Sequence, residues 1–267
     1  MKAKPSVELI YILLFGIFLY IMCPSELFAQ NRDEGTKQGN LKKPRFGLMP
    51  EIVPDDLKGF TRIFDGKSLS GWDGNTDFWK VENQTIVGES TPQKVVKENN
   101  FLIWRGGTVA DFELKVEFRL NGVNSGIQYR STELTNEGKW ILKGYQADID
   151  FRLFHAGNIH EERGRIGHVI LAQRGSVTRV VKGPIFKSIA EIDNSKELRG
   201  AFNVGGWNSY HIIARGPILI QIMNGQLVSI VIDEDTENAV RRGLIGFQMH
   251  TGAPFKIEYK NIYLKKL

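Results

Sequence analysis

The chain has 267 residues, 42% of them hydrophobic and 24% charged, close to globular averages, which excludes wholesale disorder. Net charge is +5, but the two signs are interleaved and no basic run of five or more occurs, so no nucleic-acid partner is expected. Glycine stands at 28, about half again the roughly 7% average, which suits tight turns and β structure better than a helical bundle.

Lys2 and Lys4 precede an apolar run from Leu9 to Met22, Pro24 to Glu26 break it, and Ala29 offers a small residue at a cut site. This pattern predicts a signal peptide over residues 1–29. An uncleaved anchor is the alternative, although the run is short for a transmembrane helix. Cys23, the single cysteine, leaves with the leader, and Met22 before it fits lipoprotein processing poorly. Cleavage therefore predicts a secreted or periplasmic protein without disulfides and without stable membrane insertion. Residues 30–58 are polar, carry Pro44, Pro50 and Pro54, and read as a linker or irregular arm.

From Gly59 onward short apolar segments alternate with Gly, Asn and Asp, which predicts a single β domain over 59–267. A short strand is expected from Phe60 to Phe64. A hairpin is expected over Phe78–Glu82 and Thr85–Gly88, around Asn83-Gln84. Phe101–Trp104 and Asp111–Leu120 alternate, the second with Phe112, Leu114, Val116, Phe118 and Leu120 on one side. Asn194 to Glu197 has capping-box spacing and predicts a short helix to about Gly200. Asn224-Gly225 between Ile218–Met223 and Gln226–Asp233 fits a type I′ turn, and Phe255–Lys266 closes the chain as a strand. Many short strands with turns about every ten residues predict an all-β sandwich with at most one or two short helices.

Period-two alternation also picks out a polar face. Asn124, Gln128 and Arg130 fall on one side of their strand, as do Gln146, Asp148 and Asp150, and Gln248 and His250. Amides, carboxylates, a guanidinium and an imidazole, without lysine, form directed bonds to sugar hydroxyls. A Trp face, with Trp207 as the candidate, stacks on sugar rings. The segment Glu161-Glu162-Arg163-Gly164-Arg165 reads as an exposed, self-neutralising loop, or as neighbouring carboxylates of which one has a raised pKa. His155, His160, His168, His211 and His250 lack tight metal-binding spacing. His211 reads as structural, and His250 as the better catalytic candidate.

Several stretches together resemble the 3-keto-disaccharide hydrolase family. They run from Gly59-Phe60 through Phe64-Asp65-Gly66-Lys67 and Gly71-Trp72 to Trp79-Lys80-Val81-Glu82 and Asn124-Ser125-Gly126-Ile127. Gly144-Tyr145-Gln146, Trp207-Asn208-Ser209-Tyr210 and Gly246-Phe247-Gln248 to His250 follow. Many family members carry an acidic residue where this chain has Gln146. The resemblance implies a concanavalin A-like jelly roll of two antiparallel sheets and an enzyme acting on 3-keto-glycosides. A ketone at C3 acidifies the C2 proton, its removal gives an enolate, the enolate expels the C1 oxygen, and water adds back. On that chemistry Asp148 is the base, Arg130 the enolate stabiliser, and His250 or Glu162 the acid. Asn124, Gln128, Gln146, Asp150, Gln248 and Trp207 bind the sugar. A divalent metal held by His250 and a carboxylate is the alternative electrophile. The rival function is a non-catalytic carbohydrate-binding module, since fold alone does not give activity, and an interaction scaffold is a third.

Overall fold

The computed structural model of the chain describes residues 57–194 and 196–267. The leader at 1–29 and nearly all of the 30–58 arm lie outside the described residues, as does Ser195. In chain order the strands are β1 Thr61–Arg62, β2 Trp72–Asp73, β3 Trp79–Glu82, β4 Thr85–Glu89, β5 Asn100–Trp104, β6 Phe112–Asn121, β7 Asn124–Glu133, β8 Leu142–Asp150 and β9 Ile159–Gly164. They continue with β10 Gly167–Ala172, β11 Ser176–Lys182, β12 Ile185–Glu191, β13 Asn208–Arg215, β14 Ile218–Met223, β15 Gln226–Asp233, β16 Leu244–Met249 and β17 Lys256–Lys266.

These strands form two sheets. The first runs β12-β11-β15-β14-β13-β6-β17-β4-β3, with β1 paired to β17, and the second runs β10-β9-β8-β7-β16-β5-β2. The predicted jelly-roll sandwich is therefore the architecture. Alternation drives it: on β6 Phe112, Leu114, Val116, Phe118 and Leu120 are buried, while the residues between them are half-buried. From the second sheet Ile127, Tyr129, Tyr145, Ala147, Ile149, Phe247 and Met249 enter the same core. Aromatic rings join the layers: Phe247 stacks on Tyr259 at 4.0 Å between centroids, and Phe112 meets the edge of Tyr129 at 6.0 Å.

Both sequence-predicted hairpins form, and positive φ explains why their turn residues are what they are. Asn83 and Gln84 have φ of 48° and 61°, and Asn224 and Gly225 have 49° and 79°, as a type I′ turn requires.

The structure corrects three details. One pair in the first sheet is parallel, Ser176–Val180 on β11 beside Ser229–Asp233 on β15, because the chain enters β11 after leaving the other sheet at β10. The helix expected from Asn194 is a single 3-10 turn at Leu198–Ala201. Its bonds, such as Gly200 N–H to Glu197 O and Phe202 N–H to Arg199 O, span three residues. The segment read as an exposed loop at 161–165 is mostly strand β9, with Glu161 2% and Glu162 1% exposed.

The second sheet is covered on its outer face too. Near the start of β8 a small apolar cluster of Phe101, Ile103 and Leu142, with Trp140 and Leu244 against it, closes that face. Toward the other end of β8 the covering residues are polar, and there a pocket opens.

Candidate functional site

The pocket has a volume of about 230 Å³. Its lining comes from five neighbouring strands of the second sheet. Asn124 is supplied by β7, Gln146, Asp148 and Asp150 by β8, His160 and Glu162 by β9, and His168 by β10; Gln248 lies on β16 and His250 just beyond it. The strand period explains this set, because residues two apart on each strand share the outer face while Tyr145, Ala147 and Ile149 fill the core. In the β7–β8 register Gly126 lies opposite Asp148. A Cβ at Gly126 would overlap the side chain of Gln146, so the glycine is what lets that amide lie flat across the sheet.

Glu162 is held by three side-chain amides. Asn99 Nδ2 donates to Oε1 at 3.0 Å, and Gln128 Nε2 and Gln248 Nε2 donate to Oε2 at 3.0 and 2.9 Å. Asp148 is treated differently. It receives one hydrogen bond, from Gln146 Nε2 at 3.0 Å. Burial pushes its carboxyl up to about 8; the Gln146 hydrogen bond opposes this, and the charges of Glu162 and Asp150 add to it. At neutral pH Asp148 is therefore mostly the neutral acid. Tyr210, from the opposite sheet, donates its hydroxyl to the Asp148 carbonyl at 2.7 Å and accepts the Gly157 N–H at 3.1 Å, fixing the strand end beneath the carboxyl.

Imidazoles form the remaining wall. The rings of His160 and His168 stack at 5.8 Å. Burial lowers His160 to about 4, and His168, His155 and His250 add to the effect, so His160 is neutral at pH 7 with one donor and one acceptor nitrogen. His250 Nδ1 bonds the Thr251 carbonyl. A carbonyl only accepts, so Nδ1 carries the hydrogen and Nε2 is the nitrogen left to act in the pocket. Two buried acceptors, Gln146 Oε1 and Asn124 Oδ1, have no hydrogen-bond partner. Such orphans call for donors from a ligand or solvent, and sugar hydroxyls are of that type.

The structure brings Asn124, Gln146, Asp148, Asp150, Gln248 and His250 together on the face that alternation picks out, and adds Glu162 from the segment read as a loop or as neighbouring carboxylates. It removes Arg130, Gln128 and Trp207 from the lining. A bulge between Tyr129 and Thr132 puts Arg130 at φ 48° and turns its side chain away from the face of Gln128. Its Nε donates to Ala110 O at 2.7 Å, Nη1 to Gly216 O at 2.8 Å and Nη2 to Asp111 Oδ1 at 3.0 Å. Fully buried, with each guanidinium nitrogen bonded there, Arg130 is structural. Gln128 lies behind Glu162 and is spent at both ends, its Oε1 accepting from Ser131 Oγ at 2.9 Å. Trp207 lies against the first sheet instead, between Lys260 and Arg119 at 4.1 and 4.9 Å from its ring. Asp150 lines the pocket, but its oxygens accept the N–H groups of Arg152, Phe154 and His155 at 2.9–3.0 Å, so it shapes the turn that presents His155.

Sequence reasoning missed Asn99, His155, His160 and His168 as pocket residues. His160 and Glu162 are two apart, a signal that was hidden once the segment was read as a loop. Asn99 precedes β5 and carries no periodic signal. Among the described residues no three His, Cys, Asp or Glu side chains stand close enough together to hold a metal ion, so the metal considered for His250 has no preformed ligand set.

The chain is thus a β-sandwich with a polar pocket of about 230 Å³ on one outer sheet face. Residues 59–265 match the family described as 3-keto-alpha-glucoside-1,2-lyase-like domain, and the chain belongs to that family. Two solved structures from Parabacteroides distasonis ATCC 8503, each described as a "putative glycosyl hydrolase", share the fold. One is 17% identical with a TM-score of 0.50, covering 78% of this chain and 99% of its own. The other is 16% identical with a TM-score of 0.50, covering 81% and 98%. The carbohydrate-binding module CBM66 from Bacillus subtilis is 14% identical with a TM-score of 0.45, covering 73% and 96%. No curated protein matches the chain.

Proposed function

We propose that the protein is an exported enzyme that cleaves 3-keto-glycosides by C2 deprotonation, elimination and hydration. The observation that carries this reading is the pairing, in one pocket, of a buried carboxyl that keeps its proton near neutral pH with an imidazole whose Nε2 is free. The elimination needs an acid for the leaving oxygen and a base for the C2 proton, and simple sugar binding needs neither.

The roles follow from the protonation states. His250 Nε2 takes the C2 proton, and the electrons pass to the C3 oxygen as an enolate. The enolate re-forms the ketone and expels the C1 oxygen, leaving a C1–C2 double bond, while Asp148 gives its proton to the departing oxygen. In the hydration half, a water oxygen bonds to C1, its proton returns to Asp148, and His250 returns its proton to C2. Acid and base are both restored. This reverses the role that sequence alone gives Asp148. Glu162, anchored by three amides, holds the floor in place, and Gln146 and Asn124 offer acceptors to sugar hydroxyls. With Arg130 turned away, the neutral ring of His160 supplies the N–H best suited to the enolate oxygen.

Incubating purified protein with 3-keto-glucosides and their unoxidised parents, with and without chelator, tests the reading. Release of the leaving group from the keto sugars alone is expected. Binding without release from either would overturn it in favour of a carbohydrate-binding module.

A further inference from the structure

Beside the pocket lies a second, larger depression of about 490 Å³, and Asn99 lines both. Phe78, Lys97, Asn100, Lys139 and Trp140 are among its other walls. Its most unusual member is Trp140, which holds a left-handed backbone at φ 61°, a conformation costly for an aromatic residue. The indole is pinned from several directions. Its Nε1 donates to Asp73 Oδ1 at 2.8 Å, its backbone N–H reaches Glu133 Oε1 at 3.4 Å, and its carbonyl accepts the Phe101 N–H at 2.9 Å. Arg105 then ties the two carboxylates together, donating to Asp73 Oδ2 at 2.7 Å and to Glu133 Oε2 at 2.7 Å. Strain held by so many constraints marks a side chain whose position matters.

The walls themselves carry three lysines, Lys94, Lys97 and Lys139, against Asp77 and Glu98. Lys94 is paired with Asp77, and Glu98 with Arg163. Lys97 has no ion-pair partner among the described residues, and Lys139 places its ammonium over the Trp140 ring at 5.8 Å. Asn100 Oδ1 is buried without a partner. The combination is a fixed flat ring, a lysine held over that ring, a second lysine without an ion-pair partner and an orphan acceptor, with Asn99 as the wall shared with the pocket of Asp148.

We infer that this depression is the leaving-group subsite, and that it selects a ring bearing a carboxylate. The inference rests on the proposed glycoside cleavage for the name of the subsite, but its selectivity is a binding property that can be measured without turnover. The ring stacks beside Trp140, its carboxylate meets Lys97 and Lys139, and a hydroxyl donates to Asn100 Oδ1.

Titrating the full chain with 4-hydroxybenzoate and with its neutral counterpart 4-hydroxybenzamide, by calorimetry, tests the selectivity. The acid should bind about three- to tenfold more tightly, as two solvent-exposed ion pairs allow. Lys97→Met with Lys139→Met, both exposed and so compatible with folding, should erase that difference. Trp140→Gly, which suits the positive φ, should weaken both ligands. Equal affinities in the wild type, or a difference that survives the double substitution, would overturn the inference. The matched 4-carboxyphenyl and 4-carbamoylphenyl 3-keto-glucosides supply the second arm, with kcat/KM favouring the acid by a similar factor. Cleavage of neither glycoside would sink the enzyme reading, whereas cleavage of both at equal kcat/KM would sink only the subsite.

Discussion

Asp148 and Arg130 show how differently two buried charges can be used. The Asp148 carboxyl titrates near 8 in the folded chain against an ordinary value near 4, so the folded state keeps a proton that the unfolded state loses between those limits. Its contribution to stability is therefore complete below about pH 4 and is lost as pH rises toward 8. Asp148→Asn preserves shape and the bond from Gln146 while removing both proton and charge. Turnover should fall by about 10² or more, while the melting temperature at pH 8 should equal or exceed that of the wild type. Thermal scans and rates on the same samples check both signs, and full activity in a folded variant would remove Asp148 from the chemistry. In the wild type, kcat/KM should decline above about pH 8 as Asp148 loses its proton. Arg130→Met should behave oppositely. It strips donors from the Ala110 and Gly216 carbonyls and from Asp111, at a cost of about 2–4 kcal/mol. That is a melting point lower by roughly 5–15 °C, with turnover per folded molecule unchanged.

At the scale of the strand, most of the site was legible because parity survives any uncertainty about which strands are neighbours. Gln146, Asp148 and Asp150 share a face whatever lies beside β8, and Gln248 and His250 likewise. Parity failed where the strand is not regular. The bulge in β7 sends Arg130 the other way, and one extra residue in a strand leaves no mark in a pattern of apolar and polar letters. It failed again at β9, where Glu161 and Glu162 are both buried, on opposite faces, for unrelated reasons: one meets Arg165 and the other three amides. Charged letters are ordinarily solvated, so partners from distant segments had to be seen before that strand could be recognised. Asn99 is a partner of this kind, reaching Glu162 across 63 positions. The close fit of β7 on β8 gives the element-level prediction. Gly126→Ala puts a methyl where Gln146 lies, so the amide must leave Asp148. Sugar affinity and turnover should drop by about tenfold, with the far-UV circular dichroism spectrum unaltered. A variant with wild-type kinetics would show that the position of Gln146 is immaterial.

Across the whole domain, one ion cluster joins the two sheets. Arg165, with no exposed side-chain surface, follows β9 and donates to Glu161 Oε2 at 2.9 Å in the second sheet. It also donates to Asp233 Oδ2 at 2.5 Å at the end of β15 in the first, and to Asp235 Oδ2 at 3.4 Å. Tyr145, from β8, adds its hydroxyl to Asp233 Oδ2 at 2.6 Å. Three buried carboxylates thus gather around a single guanidinium. Glu161 and Asp233 hold its charged form despite burial, while Asp235 has further donors in the Gly183 N–H and Asn238 Nδ2 at 2.8 Å each. Arg165→Met would keep the packing volume but leave the three anions facing one another. The expected loss is about 3–5 kcal/mol at neutral pH, a melting point lower by roughly 6–20 °C for a domain of this size. The pH dependence identifies the cause. Without the cation the folded variant gains by taking up protons that the unfolded chain does not hold, so its deficit should be largest at pH 8 and shrink toward pH 5. Loss of packing alone would give the same deficit at both values. Thermal scans of wild type and variant at pH 5 and pH 8 separate the two, and a deficit independent of pH would refute the view that this charge cluster, rather than shape, clamps the sheets together.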